Sequence, residues 1–145
     1  MNAVIAEGRY TLFDRPFSDD AERQFIASLG PRSALFVAEI DGTIAGVQCL
    51  DLLSAVASSM AHVATMGTWL VESARGRGVG RALSAASLLF AREQGYRKIS
   101  IQVLAANERA LRFYRGLGFV AIGVARAHVR LGGVFHDEIL LEKAL

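Results

Sequence analysis

The feature that most narrows what this chain can fold into is the heptapeptide Arg75-Gly76-Arg77-Gly78-Val79-Gly80-Arg81, set between an apolar run and a helical one. Glycines at alternate positions let the backbone turn tightly and approach a ligand with no Cβ in the way. The first amides of the helix that follows have no intrahelical acceptor, and the helix dipole adds partial positive charge at that end. Together these suit an anion such as a pyrophosphate, and Arg75, Arg77 and Arg81 add full charges. A solvated basic loop is the plainer alternative. Two other phosphate-binding patterns do not fit. A P-loop continues Gly-Lys-Ser/Thr, whereas Gly80 is followed by Arg81-Ala82. A dinucleotide fingerprint needs glycine at position 81 and an acidic residue at the end of the next strand, and neither is present.

The flanking sequence alternates between strand-like and helix-like patterns. Residues 18–29 predict a short helix, with Asp19 and Asp20 at its start, Phe25, Ile26 and Leu29 on one face, and Gly30-Pro31 as its stop. Apolar runs at 34–40 and 43–50 flank Asp41-Gly42, a strong hairpin signal. A third strand is expected over 61–71, with Gly67 as the place for a bulge. Beyond the loop, Val79, Ala82, Leu83, Ala86 and Phe90 recur at helical spacing until Gly95. Residues 98–104 alternate as a strand does. Asn107 is a good N-cap for a helix reaching about Arg115, which Gly116 and Gly118 end. Segments 119–124 and 135–142 read as two last strands, and residues 1–17 as a first one. The order implies a mixed α/β (α+β) fold: one central, mostly antiparallel sheet flanked by helices.

At 145 residues the chain has the size of one domain, 1–145, and no repeat or linker divides it. A net charge of +2 is too small to indicate nucleic acid by itself. The uncharged stretch between Asp51 and Glu72 is interrupted by Ser54, Ser58, Ser59, His62, Thr65 and Thr68, and it reads as buried strands rather than a membrane span. The first residues lack a basic region followed by an apolar one. The lone Cys49 has no partner for an intramolecular disulfide. The expectation is a cytoplasmic protein with no membrane or nucleic-acid partner and no metal.

A second block stands downstream: Asn107, Ala110, Tyr114, Gly118 and Phe119 in the spacing N-x-x-A-x-x-x-Y-x-x-x-G-F. Asn107 and Tyr114 are about two helical turns apart, roughly 10.5 Å along the axis, on a face shared with Ala110 and Leu111. Such a face can lie along an extended ligand arm, although a plain N-cap and a core aromatic would show the same pattern. The two blocks in this order resemble those of the GNAT acetyltransferases. Arg75, Gly78 and Gly80 match the family's R/Q-x-x-G-x-G/A loop, and the preceding Trp69-Leu70-Val71-Glu72 is similar to its strand beside the pantetheine arm. The sequence departs from the family at Glu72, where many members have proline, and in the short segment before the first hairpin.

The resemblance implies an enzyme that moves an acetyl group from acetyl-CoA to a primary amine of a small molecule or a peptide or protein N-terminus. It implies a sheet splayed beside the coenzyme, with Leu70, Val71, residues 75–81, Asn107, Ala110 and Tyr114 holding acetyl-CoA. A backbone amide at Leu70 or Val71 would meet the thioester oxygen, and Tyr114 would protonate the departing thiolate. The amine must be neutral, yet alkylamines near pKa 10.4 are mostly charged at pH 7, so a base is needed. His62, eight residues before Leu70, and Glu72 are the two candidates. A non-catalytic acyl-CoA-binding regulatory domain is the alternative. Residues 133–137 resemble a branch that includes polyamine, ribosomal-protein and herbicide acetyltransferases. The apolar content and the last strands also predict a homodimer.

Overall fold

A computed structural model describes all 145 residues. Its centre is one six-stranded sheet in the order β1-β2-β3-β4-β6-β5. Strands β1 (Ala34–Ile40) and β2 (Thr43–Leu52) form the expected hairpin. Asp41 and Gly42 have φ of 52° and 75°, the left-handed pair that a tight hairpin turn requires. Strand β3 (Val63–Leu70) pairs antiparallel with β2 along its whole length. Helix α3 (Val79–Glu93) then crosses to β4 (Lys98–Leu104), and α4 (Glu108–Gly116) leads to the long hairpin of β5 (Val120–Leu131) and β6 (Val134–Ala144). Before β1 come α1 (Asn2–Ile5) and α2 (Asp19–Ser28), the latter capped by the Ser18 hydroxyl.

One pairing positions everything that follows. Strands β3 and β4 run parallel, and they pair only at Val63 with Lys98 and Ala64 with Ile99. Beyond those residues they diverge, so the sheet opens into a wedge at the C-terminal ends of both strands. On one face, α3 and α4 cover a core that includes Leu50, Met66, Ile99, Ile101, Leu111 and Phe119. Tyr114 of α4 belongs to the same cluster.

Four local expectations are corrected. Residues 1–17 form no strand. They make the short α1 and a run of turns, held by the Asn2 side chain, which donates to the Phe17 carbonyl and accepts from the Phe17 amide. The segment carries no period-two pattern to pair with a sheet. Gly67 is not a bulge, since the β2–β3 register runs through it unbroken, opposite Cys49. A Cβ there would lie 2.4 Å from the Trp69 ring, so the glycine makes room for the indole lying over it. The buried stripe of α3 is Gly80, Leu83, Ser84, Ser87 and Ala91. This is one residue round from part of the apolar pattern, and it puts small residues against the sheet. Strands β5 and β6 extend further than expected, joined by Gly132 and Gly133, both at positive φ.

Candidate acetyl-CoA and acceptor site

The basic loop forms the N-terminus of α3. Gly76 and Gly78 have φ of 76° and 84°, a conformation that glycine adopts without steric cost. Gly78 is the N-cap and offers no side chain to the helix. The backbone amides of residues 76–81 make no backbone hydrogen bond within the protein. They are free to meet a ligand, as the ends of helices without side-chain caps are. Gly80 sits where α3 approaches β3 and α4. A Cβ there would be 3.2 Å from Leu70 and from the Phe113 ring, so this glycine sets how closely the loop meets the wedge.

A cleft runs from this loop along the opening between β3 and α4. Leu70, Gly76, Gly78, Gly80 and Arg81 line it on the loop side, and Asn107, Ala110 and Tyr114 on the α4 side. Val71, Val79 and Arg77 do not line it. Arg77 is exposed and reaches back to the Ser73 carbonyl. Five residues absent from the sequence expectation also line the cleft: Val4, Tyr10, Thr68, Arg109 and Phe113. The Arg109 guanidinium stands beside Gly76. Its signal was available two positions after the Asn107 cap, on the helix turn nearest the loop.

Arg75 also lines the cleft, with its head held from the N-terminal segment. Its guanidinium is engaged by both carboxylate oxygens of Glu7, with Nη1 to Oε2 at 2.7 Å. Its Nε donates to the Leu70 carbonyl at 3.0 Å, and its head lies 4.9 Å from the Tyr10 ring centre. The hydrogen bond from Arg75 holds the Glu7 carboxyl below its usual range. Arg75 therefore ties the N-terminal segment to the end of β3, and the cations left for a phosphate in this cleft are Arg81 and Arg109.

The ladder hydrogen bonds identify the free amide at the end of β3. The Val71 N–H donates to the Ala45 carbonyl at 3.0 Å. Antiparallel pairs alternate between bonded and non-bonded positions, which makes Gly46–Leu70 a non-bonded pair. The Leu70 N–H therefore faces away from β2, into the wedge. Of the two candidate oxyanion donors, Val71 is occupied and Leu70 is available.

A second cleft opens on the opposite face of the sheet. Phe13, Phe25, Trp69 and Leu104 give it an apolar wall, and Cys49, Asp51 and Gln102 add polar groups. Phe13 stacks on Trp69 with ring centres 6.2 Å apart. Asp51 is the only carboxylate among the lining side chains. The two clefts share Tyr10, Thr68, Asn107, Ala110 and Tyr114. The wedge thus connects them through the sheet.

At that junction the Tyr114 hydroxyl lies 2.9 Å from Thr68 Oγ1. Burial pushes the phenol's pKa up, opposed by the Thr68 hydrogen bond, so Tyr114 keeps its proton at neutral pH. Asn107 caps α4 through its Oδ1 and donates to the Tyr10 carbonyl. The two candidate bases lie elsewhere. His62 is exposed and precedes the start of β3, roughly 26 Å of extended strand from Leu70. His62 therefore stands outside β3, at the opposite end from Leu70. Glu72 lies in an exposed single turn past the end of β3 and lines neither cleft.

Comparison with known proteins gives the family and the fold. The model of the acetyltransferase (GNAT) family matches residues 4–119. The chain is 30% identical over 128 residues to the N-alpha-acetyltransferase RimI of Mycobacterium tuberculosis, covering 88% of this chain and 76% of that protein. Among solved structures, a GCN5-related N-acetyltransferase from Kribbella flavida superposes with a TM-score of 0.86 at 26% identity, over 99% of this chain and 87% of the other. The phosphinothricin acetyltransferase of Sinorhizobium meliloti, solved with AcCoA, gives a TM-score of 0.91 at 19% identity, over 99% and 78%. At that identity the likeness concerns the fold.

Proposed function

Because the chain belongs to the GNAT acetyltransferases, enzymes that move an acetyl group from acetyl-CoA to an amine, we propose that the transfer occurs directly where the two clefts meet, at Thr68 and Tyr114. The observation that carries this reading is the shared junction: an anion cradle lies at the far end of one cleft, an apolar groove forms the other, and a protonated phenol sits between them.

The amides of residues 76–81, with Arg81 and Arg109, hold the pyrophosphate. Asn107 and Ala110 flank the pantetheine arm along α4. The thioester supplies an activated carbonyl. The Leu70 N–H donates to the oxygen of that carbonyl as it gains negative charge, a preorganised donor of the kind that contributes most to such reactions. The amine nitrogen bonds to the carbonyl carbon, the carbon–sulfur bond breaks, and Tyr114 gives its proton to the sulfur. The amine's proton leaves through the acceptor groove, and the phenol recovers its own from solvent. Cys49 also lines that groove, but burial pushes its thiol up to about 11. It stays a thiol at neutral pH and is a poor nucleophile, which supports direct transfer without an acetyl-enzyme.

The acceptor is a primary amine on a small molecule or a peptide or protein N-terminus. The aromatic wall of Phe13, Phe25 and Trp69 favours an apolar body next to the amine, and Asp51 attracts its ammonium form. The chain works as one unit, 1–145, in the cytoplasm, a setting consistent with its single thiol. A homodimer is supported by β5, an edge strand that exposes Val120, Ile122 and Val124. The test is thiol release from acetyl-CoA across a panel of amines. Release that depends on the amine supports the reading. Tight coenzyme binding with no release for any amine favours the regulatory domain instead.

A further inference from the structure

We propose that Gln48 is a positioning residue for this transfer: through Thr68 its amide orients the Tyr114 hydroxyl so that the phenolic hydrogen faces the cleft. The inference rests on the reading of Tyr114 as the proton donor.

Gln48 lies in the middle of β2 and has no exposed surface. On the same face its neighbours are Leu50, Ala64 and Met66, which shows what the site otherwise accepts. A buried amide is unfavourable unless its hydrogen-bonding capacity is met, and here it is met only in part. Gln48 Nε2 donates to Thr68 Oγ1 at 2.7 Å and to Ser84 Oγ at 3.0 Å, while Oε1 has no partner. Ser84 is fully buried in α3. Packing alone gives no reason for this pair of polar side chains.

The register supplies one. Gln48 stands directly opposite Thr68, at a non-hydrogen-bonded position of the ladder, where side chains approach most closely. Thr68 in turn lies 2.9 Å from the Tyr114 hydroxyl. A threonine hydroxyl has one hydrogen to give. Gln48 takes up a lone pair of Thr68 Oγ1, and the phenol oxygen is the one acceptor bonded to that hydroxyl, so the hydrogen of Thr68 goes to the phenol and the phenolic hydrogen is left for the cleft. With an acceptor in place of Nε2, Thr68 would donate backward, Tyr114 would donate to Thr68, and no phenolic hydrogen would face the sulfur. The buried amide thus sets the direction of a three-member chain that ends at the reacting atom.

The test compares Gln48→Met, Tyr114→Phe and the double variant in thiol release, with circular dichroism to verify folding. Methionine keeps the volume and removes the donor. The expected result is a kcat about tenfold below wild type for Q48M with the KM for acetyl-CoA within about twofold, the scale of one lost hydrogen bond. In the double variant the losses do not multiply, because the chain has nothing left to orient. A wild-type kcat in Q48M alongside a slow Y114F overturns the inference while leaving Tyr114 in place. Losses that multiply in the double variant also overturn it, since they indicate a general packing role. A wild-type kcat in Y114F removes the reading beneath it and this inference together. Gln48→Leu gives the same comparison should methionine not fold.

Discussion

Tyr114→Phe separates the hydroxyl from the ring. The ring is in edge-on contact with Phe113 and Phe119, with centres 5.1 and 5.4 Å away, and phenylalanine keeps both contacts. What disappears is one hydrogen bond to Thr68, which retains its bond from Gln48. A single hydrogen bond of this kind contributes about 1 kcal/mol, so the variant should melt roughly 3–4 °C lower. Turnover should respond far more. A thiol near pKa 8.5 leaves fairly well without help, so the loss belongs at the lower end for general acid catalysis, about 10²-fold in kcat, or about 2.7 kcal/mol of barrier. Coenzyme affinity should hardly change. The assay is steady-state thiol release with both substrates saturating, together with a thermal melt and a coenzyme titration. A wild-type kcat, measured where chemistry limits the rate, would remove Tyr114 from the mechanism. Equal losses of affinity and turnover would make the hydroxyl a coenzyme contact, and a collapsed fold would make it a core group.

Two further outcomes concern carboxylates. The hydrogen bond from Arg75 holds the folded pKa of Glu7 below the 4.5 of a free carboxyl, so the pair stabilises the fold above that pH and the stabilisation is lost as pH falls through the folded value. Glu7→Gln should be less stable than wild type at pH 7 and should show a flatter decline in acid; urea unfolding between pH 7 and 3 would expose two parallel curves if the pair were idle. Asp51→Asn should raise the KM for the amine by roughly fivefold, the scale of one partly exposed charge contact, with kcat little changed; an unaltered KM would mean that the acceptor does not pass this side chain.

The parts of the fold legible in the sequence were those fixed by local chemistry. Asp41-Gly42 declared its hairpin, Asn107 its cap, and the glycines around Arg77 their turn before α3, because left-handed backbone and unpaired helix amides are properties of a few adjacent residues. What depended on distant partners was not legible. Arg75 carries a coenzyme motif, yet its head is held by Glu7, 68 positions earlier. Gly67 signalled a missing side chain but not that the Trp69 ring fills the space. Ser84 and Ser87 lie on the buried stripe of α3, one residue round from its apolar pattern, and Gln48 opposite explains the first of them. His62 shows the limit of periodicity, which assigns a face of a strand and says nothing about which end meets the site.

If the amides of residues 76–81 hold the coenzyme's pyrophosphate, calorimetric titration of acetyl-CoA into Gly78→Glu and Gly78→Ala will separate the effect of charge from that of backbone strain. A Cβ at Gly78 would meet nothing within 4 Å, and φ is 84°. Both variants therefore carry the same backbone strain, about 1–2 kcal/mol, and only glutamate projects a negative charge into the space before the loop. Two like charges about 4 Å apart near a protein surface repel by about 4 kcal/mol. G78A should bind acetyl-CoA modestly more weakly than wild type, and G78E should lose more than about a hundredfold in affinity. Wild-type affinity in G78E would place the pyrophosphate elsewhere, away from the amides of residues 76–81.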